Sequence, residues 1–127
     1  NNIFFKIELA EQTGNNQINR FLNSNLSEYK ASNSDQKFLI SIKSKYLKEA
    51  LSKDKTGKVL ENKIKIIIRF EIDFNENIEV FSLEEDINLK TSDDIIDEKN
   101  QERNLMRSLT SIIAEKLILK LASYNDN

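Results

Sequence analysis

The chain has 127 residues with 19 basic and 21 acidic side chains, a net charge of -2, 39% hydrophobic residues and 31% charged ones. That length predicts one domain, 1–127, with a core large enough to need no staples. The charge balance gives no support to nucleic-acid binding. The chain contains no Cys, which excludes disulfides and thiol chemistry, and no His, which removes the commonest acid–base group and metal ligand. No apolar run approaches the ~20 residues of a membrane span. The chain begins at Asn1 rather than Met, as expected of a processed precursor or a trimmed chain, and the stretch is expected to be soluble whatever tether precedes it.

Ile3 to Leu9 reads as a first strand, apolar and rich in β-formers. Gly14 and the Asn pair after it break that strand and supply helix-capping side chains. Ile18, Phe21, Leu22, Leu26 and Tyr29 then follow helical spacing, which predicts a helix from about Asn15 to Lys30. The Asn, Ser and Asp of Ala31 to Gln36 are loop chemistry.

Phe38, Ile40 and Ile42 alternate with polar residues, and the strand is expected to run through Tyr46 to about Ser52, with a bulge or phase change near Ser44. Asp54 to Lys58 predicts a hairpin turn with Gly57 at positive φ. The next strand is the clearest. Ile64, Ile66, Ile68, Phe70, Ile72 and Phe74 alternate with Lys63, Lys65, Arg69, Glu71 and Asp73, the mark of an antiparallel strand with one face buried. Asn75 to Asn77 predicts a tight turn. Ile78 and Val80 continue the buried phase, whereas Phe81, Leu83, Ile87 and Leu89 follow the opposite one, so a bulge is expected between them.

The last element is a long helix from about Asp97 to Tyr124, with Ser92 or Asp94 as its cap. Leu105, Leu109, Ile112, Ile113, Leu117 and Leu121 form its apolar stripe, and Lys99, Arg103 and Arg107 a basic one. The order is β-α-β-β-β-α. The predicted fold is a two-layer α+β domain, with two helices packed on one face of a mainly antiparallel four-stranded sheet.

No pattern points to catalysis. The acids at Glu84 to Asp86 and Asp93 to Glu98 neither alternate like calcium ligands nor surround a glycine, and read as solvated loop and helix start. No motif frames a Ser or Lys nucleophile, and no Gly-rich phosphate loop occurs. No cofactor or metal is expected. The basic residues are the candidates: Lys53, Lys55 and Lys58 at the hairpin tip, Lys43, Lys45, Lys63, Lys65 and Arg69 on the polar sheet face, and Lys99 on the last helix. One reading is a solvated surface whose lysines protect a sheet. The other is a mixed basic and apolar surface for an anionic amphiphile or a protein partner.

The element order and two local strings resemble the LptE (RlpB) family of lipopolysaccharide-assembly lipoproteins. One string is Ala114 to Leu121, similar to the family's A-E-x-L-I-x-K-L run, preceded by the acid- and amide-rich Asn100-Gln101-Glu102. The other is Lys55-Thr56-Gly57 followed by a long alternating strand. The family's lipid-modified Cys does not occur in this chain, and its second basic position falls at Glu98, with Lys99 beside it. The resemblance implies a non-enzymatic lipoprotein on the periplasmic face of the outer membrane, tethered by an N-terminal lipid anchor upstream of this chain. It implies a plug for an LptD-like outer-membrane β-barrel that helps the barrel fold and binds lipopolysaccharide. Lys55 is then the first candidate for the anionic glycolipid, with Lys53, Lys58 and Lys99 around it. The rival reading is another periplasmic lipoprotein adaptor, transport-auxiliary or pilotin-like, that binds protein only. An enzyme ranks third.

Overall fold

The computed structural model describes residues 4–125. In chain order they form β1 (Lys6–Gly14), α1 (Asn16–Asn25), α2 (Ser27–Lys30), β2 (Lys37–Lys53), β3 (Val59–Phe74), β4 (Asn77–Lys90) and α3 (Ile95–Asn125). The sheet order is β1-β2-β3-β4. β1 pairs with β2 in parallel, across the α1–α2 crossover, and the other two pairs are antiparallel. The result is the expected α+β build with a mixed sheet. The expected first strand begins at Ile3, which lies outside the described residues, and the observed strand runs on to Gly14.

The helices cover one sheet face because that face is apolar over most of its length. Phe38, Ile40 and Ile42 of β2 and Ile64, Ile66, Ile68, Phe70 and Ile72 of β3 are buried against Ile18, Leu22, Leu26, Leu109, Ile113, Leu117 and Leu121. An aromatic chain closes one end of this core. Phe5 stacks on Tyr29 at 5.2 Å and meets Phe38 edge-on at 5.3 Å, and Phe74 stacks on Tyr124 at 4.9 Å.

Four local expectations change. The predicted first helix splits at Leu26, which leaves helical geometry at φ -97 and ψ 5 while its side chain stays fully buried. β2 has no phase change at Ser44. Ser44 takes the next core-facing position and is buried, and the register slips only beyond Ala50. β4 has no bulge: its pairing with β3 is continuous from Asn77 to Lys90. Phe81, Leu83, Ile87 and Leu89 hold the helix-facing phase, and Ile78 and Val80 lie on the other face, exposed by 64% and 47%. On α3, Ile112 falls off the buried stripe and is exposed, and Met106, Thr110 and Ala114 complete the stripe instead.

The turns follow their chemistry. Gly57 has φ +90 at the β2–β3 tip. Asn75 and Glu76, both at positive φ, make the two-residue turn between β3 and β4. Asp94 caps α3, its Oδ1 accepting from the amides of Ile96 (3.0 Å) and Asp97 (3.2 Å). Glu98 reaches back to the Ser92 amide at 2.8 Å, a reciprocal bond of the capping-box kind. Among the described residues no helix is long and apolar enough to cross a membrane.

Candidate functional site

The β2–β3 hairpin projects from the sheet end where α3 begins, because β4 leads there directly. The Thr91 amide donates to the Leu60 carbonyl at 3.0 Å and its hydroxyl to the Val59 carbonyl at 3.0 Å, which ties the start of the α3 lead-in to the hairpin stem. The candidate lysines of the tip and Lys99 of α3 therefore share one end of the molecule, opposite the aromatic end.

Asp54 builds the tip. Its Oδ1 accepts from the Thr56 amide (2.8 Å), the Thr56 hydroxyl (2.6 Å) and the Lys58 amide (3.0 Å). The backbone closes the same turn through Asp54 N–H to Lys58 O at 2.9 Å and Gly57 N–H to Asp54 O at 3.1 Å. The Thr56 hydroxyl and then the Lys58 amide hold the Asp54 carboxyl below its ordinary pKa. The loop that carries Lys55 is thus a defined turn.

The four candidates are not equivalent. Lys53, at the end of β2 opposite Val59, and Lys55, in the turn, are exposed. Lys58 is engaged: its Nζ lies 2.9 Å from Asp93 Oδ1, and the bond raises the lysine pKa and lowers the aspartate's. Lys99 lies near the start of α3. It lines a groove of about 360 Å³ with Gln17, Asn100, Glu102, Arg103 and Met106. The structure brings the four lysines to one end and interleaves them with Asp93, Asp94, Asp97 and Glu98, so the end is mixed in sign.

Beside this groove is a clasp that sequence reasoning missed. Glu102 of α3 accepts from the Tyr46 hydroxyl and from Lys48 Nζ (2.8 Å), both side chains rising from the helix-facing side of β2. Burial pushes the Tyr46 phenol well above its ordinary range, and the neighbouring Glu102 carboxylate adds to the effect. Burial of Glu102 acts to raise its pKa, but the bonds from Lys48 and Tyr46 outweigh it and hold the carboxyl below its usual value. Its one available signal was the run Tyr46, Lys48, Ala50 continuing the core-facing phase of β2 beyond the apolar residues.

Chemically, this end can hold an anionic group at Lys53 and Lys55 and can present the flanking apolar side chains Leu51, Leu60, Ile95 and Ile96, all exposed. Among the described residues no three His, Cys, Asp or Glu side chains are placed to hold a metal ion. A separate open groove of about 490 Å³ lies between α1–α2 and α3, lined by Asn25, Tyr29, Ala114, Ile118 and Leu119.

No protein-family model matches the sequence, and no curated protein matches it significantly. Solved structures do match in shape. A rare lipoprotein B from Shewanella oneidensis superposes with a TM-score of 0.69 at 12% identity, over 94% of this chain and 98% of that one. A minor lipoprotein from Acinetobacter baumannii gives 0.65 at 17% identity, over 96% and 95%. A lipoprotein B from Nitrosomonas europaea gives 0.58 at 16% identity, over 91% and 84%. Each neighbour is described as a lipoprotein. Along nearly its whole length, this chain has the fold of rare lipoprotein B.

Proposed function

We propose that this chain is the folded part of an LptE-type lipoprotein that plugs and supports an LptD-like outer-membrane β-barrel and binds lipopolysaccharide on its way to the cell surface. One observation carries the reading: near-complete mutual coverage with rare lipoprotein B, the RlpB of the family that the sequence resembles. An exterior of mixed charge and scattered exposed apolar side chains fits a domain surrounded by protein. An N-terminal lipid anchor upstream of Asn1 would hold it to the periplasmic face of the outer membrane. The mechanism is positional. The Asp54-braced turn presents Lys55, with Lys53 beside it, as a fixed cationic point for the phosphate or carboxylate groups of the glycolipid. Lys99 adds positive charge on the α3 side, and Lys58 joins only by giving up Asp93.

The test is a pull-down of the full-length protein, tagged at its C-terminus, from detergent-solubilised membranes of its own cells. A large β-barrel recovered in near-equal amount supports the plug. A secretion channel or inner-membrane transporter in its place supports the pilotin-like or transport-auxiliary adaptor instead. For the glycolipid, Lys55→Glu should weaken lipopolysaccharide binding about tenfold, the size of one lost charge-assisted contact. Unchanged binding removes Lys55 from the site.

A further inference from the structure

β2 is longer than its parallel neighbour. β1 stops at Gly14, opposite Ser44, where the chain turns away into α1. β2 continues to Lys53, paired with β3 on one side only. From Lys45 to Ala50 the pairing with β3 is regular, so alternate backbone N–H and C=O groups point outward along an edge that no strand occupies among the described residues. That stretch has the length of an ordinary strand.

The surroundings of this edge are basic in excess: Lys45, Lys48 and Lys53 outnumber the one acid of the stretch, Glu49, which shares the open face with Lys45. Lys45 lies on the open sheet face, and Lys53 follows at the end of the strand. Next to the Tyr46–Glu102–Lys48 clasp on the helix-facing side is the groove of about 360 Å³ lined by Gln17, Lys99, Arg103 and Met106. Glu102 also lines it, but its carboxylate is already taken by Tyr46 and Lys48. Lys45, Lys53, Lys99 and Arg103 are in no ion pair among the described residues. The sheet's two outer strands have the opposite character, β4 with Glu79, Glu84, Glu85 and Asp86 and β1 with Glu8 and Glu11.

We propose that the β2 edge from Lys45 to Ala50 is a strand-addition site for an extended, acidic segment of a protein partner. The partner's backbone completes the unpaired ladder. Its side chains on one face meet Lys99 and Arg103 across the groove, and those on the other lie beside Lys45 and the exposed Leu47. Lysines on an open edge oppose pairing with a second copy through the same edge. The same charges attract an acidic strand, and the acidic β4 edge repels it, so the two edges are told apart by charge.

The experiment is amide hydrogen exchange on the full chain with the synthetic peptide Thr-Glu-Val-Glu-Thr-Glu-Val-Glu-Thr, and with the same peptide carrying Lys for each Glu. Alternate amides of Lys45 to Ala50 should exchange at least about fivefold more slowly with the acidic peptide, and the amides of β4 should not change. The lysine peptide should leave the β2 edge unprotected. Arg103→Glu, on an exposed helix position, should weaken acidic-peptide binding about tenfold, and Lys99→Glu provides the same reading from the neighbouring turn. Absence of protection, equal protection by the lysine peptide, or protection of β4 instead would each overturn the proposal.

Discussion

The Ser44 hydroxyl donates to Asn19 Oδ1 across 2.7 Å, joining the point where β1 leaves the sheet to the first turns of α1. The same hydroxyl accepts from the Asn15 amide at 2.9 Å, and the Asn19 side chain donates in turn to the Thr13 carbonyl at 3.1 Å. Gly14 sits between them at φ +97, so close that a Cβ there would lie 2.0 Å from the Ser44 carbonyl oxygen. The crossover from β1 into α1 thus depends on a backbone approach that only glycine permits, and on a polar network that satisfies every buried group around it. Ser44→Ala leaves Asn19 without its partner in a buried site. A loss of about 1–3 kcal/mol is expected in urea unfolding, with the secondary structure unchanged. A neutral Ser44→Ala would show that solvent reaches Asn19.

The turn between β3 and β4 carries a cost that a single substitution removes. Glu76 holds φ 65, a conformation that strains a side chain with a Cβ, and it follows Asn75 at φ 48. Glu76→Gly gives the Asn-Gly sequence that such a turn prefers. Thermal unfolding should show a gain of about 1 kcal/mol, less the entropy glycine adds to the unfolded chain. A lower melting temperature would contradict the left-handed assignment at Glu76.

On the open sheet face Lys43 stands directly opposite Arg69, and neither is in an ion pair among the described residues. Across β3, Arg69 faces Ser82, whereas Lys65 and Lys63 find Glu84 and Asp86 at 3.7 and 3.8 Å. Like charges opposed across a ladder destabilise it, so Lys43→Thr should stabilise the protein by up to about 0.5 kcal/mol at low salt. The gain should shrink as salt screens the pair. A less stable variant at low salt would mean that Lys43 is held by a favourable contact.

The Tyr46–Glu102–Lys48 clasp has a pH signature. The folded state holds the Glu102 pKa below the ordinary glutamate value. Its contribution is therefore fully present above that value and is lost as the pH falls through the depressed folded pKa. Unfolding free energy measured from pH 6 down to pH 2 should fall more steeply in the wild type than in Glu102→Gln. Equal slopes would assign the acid sensitivity to other carboxylates, Asp54 and Asp93 among them, whose pKa values are also lowered.

Much of this protein is written locally. The alternation from Ile64 to Phe74 determines a half-buried strand, because a period of two leaves no other way to bury six large apolar side chains on one side. The spacing from Leu105 to Leu121 determines a helix that needs a sheet to cover, and Gly57 and the Asn75–Asn77 string determine where the chain reverses. The basic hairpin tip was legible for the same reason, since consecutive residues of a turn stay together in space.

What sequence could not decide is what lies across from what. Pairing with β3 places Phe81 rather than Val80 on the core side of β4, so the apparent break in phase needs no bulge. Ile112 has the spacing of the stripe but is exposed, because the face of α3 that meets the sheet buries Met106, Thr110 and Ala114 instead. Asp93 neutralises Lys58, and Glu102 joins Tyr46 to Lys48, across separations of 35 and 56 residues that no local pattern reports. The free β2 edge exists only because β1 ends at Gly14, opposite Ser44. That is a property of strand register, set by the Gly14–Ser44 approach and the start of α1, and tertiary packing alone determines it.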